Sequence, residues 1–192
     1  MPTCRWARLL GRVFGLAPAM ALMGPSAAPA INFGSEPGGP YLIADSSWSV
    51  AARSLTSTAY SNAFATLFGD FNPTDLSVTY TEEQSSCLLA YDTCVYDGDY
   101  GETPWWGLFT CEGEASGAHP NRACYTGYVR LNYNNDPSGV ARSEYNICHE
   151  LGHAVGLQHT SSDTSCLKIY IDGGRDPDLN DHDVGKIDVQ YK

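Results

Sequence analysis

Residues 149–159 read His-Glu-Leu-Gly-His-Ala-Val-Gly-Leu-Gln-His, and the spacing within this stretch decides how the chain must fold around it. His149 and His153 are four apart, so an α-helix sets them one turn apart on one face, where two imidazoles can share a metal ion. Glu150 adjoins the first histidine, where its carboxylate can reach a water activated by that metal without being a ligand itself. Gly156 can take a positive φ, which ends the helix and turns the chain back so that His159 arrives as a third nitrogen donor. Three neutral histidines suit zinc, and three protein ligands leave the fourth tetrahedral position open, as in a catalytic site. Three of the chain's five histidines fall in this one stretch, a concentration that scattered surface or core histidines do not produce.

The pattern resembles the signature of the metzincins, the zinc-metallopeptidase clan that includes matrixins, astacins, serralysins and reprolysins. The resemblance implies a small secreted form of matrixin or reprolysin type. It makes His149, His153 and His159 the ligands of one catalytic Zn2+, Glu150 the general base and acid, and Gly156 the turn glycine. Histidine rather than aspartate at 159 disfavours the snapalysin-like variant. The clan places a methionine-containing turn beneath the metal, and the matching stretch here is Ser165-Cys166-Leu167-Lys168-Ile169-Tyr170. Leu167 stands at the methionine position, a swap close in volume and polarity and therefore of the tolerated kind. Tyr170 is one residue beyond the tyrosine that astacins and serralysins bring to zinc, so that role is not carried over.

The activity the resemblance implies is internal hydrolysis of peptide bonds in extracellular protein, the substrate pairing as an extended strand along the cleft. From the family, the strand over 128–133 is expected at the cleft's upper edge. Two rivals share the same zinc chemistry. One is a zinc-containing binding module with weak or no catalysis, which the retained Glu150 disfavours; the other is a hydrolase of a non-peptide amide in a cell envelope, disfavoured only by the resemblance.

The chain has 192 residues, enough for one domain with a sizeable core. Residues 1–30 read as a signal peptide: Arg5, Arg8 and Arg12 open it, Val13 to Met23 form a short apolar run, and Ser26 to Ala30 offer small-residue cleavage sites. The apolar run is short for a membrane span and is interrupted by Gly15, Pro18 and Gly24, so no stable membrane association is expected after cleavage. Residues 31–40 form a Gly/Pro-rich lead-in, and 41–192 the metzincin-like domain. Losing the leader, with its three arginines and no acids, takes the formal charge from −11 to −14, which argues against nucleic acid or anionic membranes as partners. A monomer is expected.

Cys4 lies in the leader, leaving six of the seven cysteines, an even set that fits an exported chain with three disulfides among fifteen possible pairings. Sequence proximity favours Cys87–Cys94 and Cys111–Cys124. The remaining pair, Cys148–Cys166, would tie the start of the zinc motif to the turn beneath it.

The expected fold is α+β: a twisted mixed sheet, a long helix in the N-terminal region, a zinc-binding helix, and a smaller irregular C-terminal subdomain ending in a helix. The first helix is expected over 49–68 with Gly69 as its stop, then a strand in which Leu76, Val78 and Tyr80 alternate with polar residues. Further strands are expected at 87–91, 95–96, 105–111 and 128–133. The zinc helix should follow the turn at 136–139 and run to about Gly156, with Ile147, Leu151, Ala154 and Val155 facing the core. Asn180 should cap the last helix, on which Val184, Ile187 and Tyr191 share a face. Trp105 and Trp106 read as core packing before cleft lining, His119 as a loop residue, and His182 as a helix-start surface residue or a donor near the site. Two acidic stretches, Asp97-Gly98-Asp99 and 172–183, invite a Ca2+ reading, although neither has the spacing of an EF-hand loop.

Overall fold

Trp48-Ser49-Val50-Ala51-Ala52 forms part of a strand, where a helix was expected from residue 49. The computed structural model describes residues 42–53, 55–66, 68–83, 87, 91–113, 123–135, 140–169 and 178–192. The expected leader and lead-in, His119, the turn at 136–139, Tyr170 and residues 172–177 of the second acidic stretch lie outside them. Strand β1 (Leu42–Ile43) is followed by β2 (Ser47–Arg53), then by helices α1 (Thr58–Thr66) and α2 (Phe68–Phe71). Next come β3 (Ser77–Glu83), β4 (Thr93–Gly98), β5 (Gly107–Cys111), β6 (Ala123–Cys124) and β7 (Gly127–Asn132). Helices α3 (Val140–Ala154) and α4 (Asp181–Gln190) complete the chain.

The main sheet runs β3-β2-β4-β7-β5, with β2, β3, β4 and β7 parallel and β5 antiparallel to β7. β1 and β6 form a separate parallel pair. The register of β2 explains why its sequence hides its conformation. Val50 lies opposite Tyr80 of β3 on one side and Thr93 of β4 on the other, so both edges of the strand are paired. Its faces are covered as well: Trp48, Val50 and Ala52 join the main core, while Ala51 packs with Cys87 and Cys94 on the opposite face. A strand buried on both faces has no reason to alternate apolar with polar, and two alanines in a row then pass for helix.

The helix is therefore shorter than expected, and a distant residue ties down the segment just ahead of it. The Asp97 carboxylate accepts hydrogen bonds from the backbone N–H of Thr56 (2.8 Å) and Ser57 (2.6 Å) just ahead of α1. Asp99 accepts from Gly101 N–H at 2.9 Å. Helical structure does not stop at Gly69 but reaches Phe71, and the break falls at Asn72-Pro73, where Pro73 restricts the residue before it and cannot donate. Beyond that break Tyr80 of β3 stacks on Phe68, with ring centroids 3.9 Å apart and planes 5° from parallel.

α3 packs on α1, β5 and β7 through its buried face, which includes Ile147, Leu151 and Ala154. α4 begins at Asn180, whose side chain accepts from the N–H groups of His182 and Asp183 while the Asp183 side chain accepts from Asn180 N–H, a reciprocal capping box. His182 is exposed in the first turn. Tyr191, at the far end, donates its hydroxyl to Val155 O (2.8 Å) and accepts from Ile43 N–H (3.2 Å), joining the chain's end to the end of α3 and to β1.

Three disulfides are formed, Cys87–Cys94, Cys111–Cys124 and Cys148–Cys166, with Cα–Cα separations of 5.8, 5.7 and 5.9 Å. The expected strand at 87–91 is not one at Cys87 or Tyr91, the two residues described there. The edge strand also differs from expectation. β7, at 127–132, lies between β4 and β5, so among the described residues the edge on that side belongs to β5.

Candidate metal centre and its cleft

The end of α3 builds the centre. Gly156 has φ +96°, and the two hydrogen bonds that close the helix are Gly156 N–H to His153 O (3.1 Å) and Leu157 N–H to Gly152 O (2.9 Å). This is the glycine-terminated Schellman arrangement, and the positive φ reverses the chain within two residues. The reversal has two products. It returns His159 to the face already carrying His149 and His153, and it aims the carbonyl of buried Leu157 at His153 Nδ1, 2.7 Å away. His149 Nδ1 meets the carbonyl of Cys166 at the same distance. A carbonyl can only accept, so both rings carry their proton on Nδ1 and present a bare Nε2.

The Nε2 atoms of the three histidines lie 3.0, 3.1 and 3.2 Å from one another. Nitrogens about 2.0–2.1 Å from a tetrahedral zinc would be separated by about 3.3 Å, so the triangle has the size of one face of such a site. Burial lowers the pKa of all three histidines, that of His149 well below its usual value and that of His153 to about 4. At neutral pH they are therefore uncharged, the form that donates to metals. The donor set fits zinc.

Glu150 is buried beside this triangle. Burial pushes its carboxyl up to about 8, opposed by a hydrogen bond from the backbone of Phe109 on β5. A cation held by the neighbouring histidines would pull it back down, because an opposite charge favours the carboxylate.

The family model described as matrixin matches residues 42–192. The chain belongs to the matrixin family. It is accordingly a metalloprotease of the metzincin clan, with the clan's mixed α+β fold. Among solved structures, the crystal structure of myroilysin is similar with a TM-score of 0.49 and 13% identity, covering 81% of this chain and 88% of that one. No curated protein matches.

The matrixin's cleft, about 900 Å³, runs between the stretch from Pro104 to Phe109 above and Lys168 and Ile169 below, with the three histidines and Glu150 at its floor. Trp105 and Trp106, expected in the core, are half-buried and line this cleft instead. Their placement follows from Asn135, whose side-chain N–H2 donates to the carbonyls of Thr103 (2.6 Å) and Trp105 (3.1 Å) and holds the loop against the end of β7. Ile169 is 55% exposed at the lower wall, an apolar surface open to whatever enters.

Beneath the histidines Leu167 is fully buried against Gly152 of α3, where an added Cβ would lie 2.9 Å from Leu167 Cδ2. Leu167, at the position where the resemblance places a methionine, therefore fills the space against Gly152. Leu167→Ala is expected to lower stability by about 2–5 kcal/mol, while Leu167→Met stays within about 1.5 kcal/mol. Urea unfolding of the metal-free proteins checks this, and equal midpoints for the two variants would contradict a packing role.

Gly107 and Phe109 were not singled out from sequence, yet they form the roof over Glu150. A Cβ at Gly107 would lie 2.5 Å from Glu150 Cγ and 2.5 Å from Asn146 Oδ1. The available signal was a glycine inside a strand pattern, which marks a close approach of backbone to something else. Tyr145 and Asn146 also went unread, although Tyr145, Cys148, His149 and Gly152 share one helix face by their spacing.

Proposed function

We propose that this matrixin is a secreted zinc endopeptidase in which His149, His153 and His159 hold the metal and Glu150 handles the proton. The convergence of three Nε2 atoms, two of them fixed as bare by their Nδ1 bonds, beside a buried carboxyl at the floor of a cleft roofed by an edge strand carries the reading. Zinc, when bound, supplies Lewis acidity toward water and toward the scissile carbonyl. Glu150 accepts the proton as the water attacks and returns it to the departing amine. The backbone of Phe109 orients its carboxyl, and the carbonyls of Cys166 and Leu157 keep two of the histidines in the ligating tautomer. An extended peptide adds alongside β5, not β7, by backbone hydrogen bonds. Substrates are proteins or peptides, and three disulfides suit an oxidising, extracellular setting.

The test is hydrolysis of a quenched, unfolded protein substrate by the purified secreted chain, with zinc measured on the same sample. About one zinc per chain and activity lost to a chelator and restored by zinc are the expected results. A folded chain without zinc, or one that holds zinc and cleaves no peptide, would defeat the proposal.

A further inference from the structure

Tyr145 and Asn146 lie one helical turn before His149 and Glu150, and both are buried although both carry hydrogen-bonding groups. Each spends those groups on a different wall of the cleft. The Tyr145 hydroxyl donates to the carbonyl of Lys168, in the lower wall. The Asn146 side-chain N–H2 donates to the carbonyl of Trp106 (3.0 Å), in the upper wall, and to the Tyr60 hydroxyl on α1 (2.9 Å). We propose that this pair are positioning residues that set the separation of the two cleft walls, and hence the register in which a peptide presents its scissile bond to the metal centre. The inference rests on the endopeptidase reading given above.

Three features support it. First, the anchors are referenced to the chemical groups themselves. Tyr145 is four residues before His149, with ring centroids 5.9 Å apart, and Asn146 is four before Glu150, so each anchor stacks beneath the group it serves on the helix face. Second, one element reaches both walls. The upper wall is the approach to β5 and its first residues, the lower wall follows Leu167, and α3 touches both through adjacent residues. Third, the upper wall is drawn close to the helix, since Gly107 leaves no room for a Cβ between Asn146 and Glu150. A helix residue that only filled space there could be apolar. An amide placed between a carbonyl and a phenol fixes a height, because both of its donors are satisfied at one geometry.

Neither residue supplies an atom to the three-histidine donor set, so the metal should be bound normally when they change. Tyr145→Phe keeps the ring and removes the donor to Lys168, and Asn146→Asp keeps the shape but replaces the N–H2 that holds Trp106. For an octapeptide substrate, each is expected to raise KM about tenfold with kcat within about twofold, the scale of one lost hydrogen bond. The cobalt-substituted proteins should keep the wild-type visible absorption, and cleavage of an unfolded protein read by mass spectrometry should show additional scissile positions. Unchanged KM and an unchanged cleavage map in both variants would overturn the proposal, and so would a fall in kcat accompanied by an altered cobalt spectrum. Should Asn146→Asp fail to fold, Tyr145→Phe alone decides by the same readouts. A wild-type chain that binds cobalt but cleaves no peptide overturns the endopeptidase reading and this inference with it, an outcome distinct from active enzyme with indifferent variants.

Discussion

Glu150→Ala is expected to lower kcat on an unfolded protein substrate by about 10²–10⁴-fold, the usual contribution of a positioned general base, while the chain keeps its zinc. The expectation follows from where the carboxyl lies. Glu150 is next to His149 but outside the Nε2 triangle, and its carboxyl bonds to the backbone of Phe109, so removing it takes nothing from the ligand set. Folding should also survive. Burial of this acid raises its pKa to about 8, which means the folded state disfavours its charged form, and an alanine is relieved of that penalty. Zinc content by mass spectrometry and single-turnover kinetics on the same sample check the prediction. Zinc lost together with activity would make Glu150 part of the metal site instead of the proton-transfer group.

Gly107→Ala is expected to be nearly as damaging, although it adds a single methyl group to a strand. That Cβ would lie 2.5 Å from Glu150 Cγ, 2.7 Å from Glu150 Oε1 and 2.5 Å from Asn146 Oδ1. Either β5 lifts away from α3 or the Glu150 side chain turns aside, and in both cases the proposed base leaves its position. Displacements near 1 Å in a catalytic group reduce rates about 10²-fold, so kcat should fall by that order while zinc stays bound. The folded fraction, measured by near-ultraviolet circular dichroism, separates this from simple unfolding. A kcat within twofold of wild type would show that the roof over Glu150 yields without moving it.

The two predictions differ in what made them possible. Glu150 could be singled out from the sequence because the role proposed for it depends on residues within one helical turn. Gly107 lies 43 positions away from Glu150, and nothing in Trp106-Gly107-Leu108 says which helix will lie beneath it. The same contrast runs through the fold. The capping of α4 by Asn180 and the helix-ending turn at Gly156 were legible because each is a local exchange of hydrogen bonds. β2 was misread because central strands buried on both faces lack alternation, and the segment between β2 and α1 is tied down by Asp97, far along the chain.

The edge of the sheet was misassigned for a related reason. A six-residue strand such as β7 looks the same in sequence whether it is paired on one side or both, since pairing partners are chosen by the path of the whole chain. Only the register of β7 against both β4 and β5 places the free backbone on β5.

What the sequence determined by itself is the chemistry: a three-histidine donor set at helical and turn spacing, a carboxyl beside it, and six cysteines whose near neighbours pair. Each depends on contacts within about a turn or a short loop, where covalent geometry leaves few alternatives. The tertiary structure alone decided the walls of the cleft, the strand that roofs it, and the residues that hold both to α3. Those are meetings of segments far apart along the chain, selected by burial and hydrogen-bond satisfaction over the whole domain, and no local spacing records them.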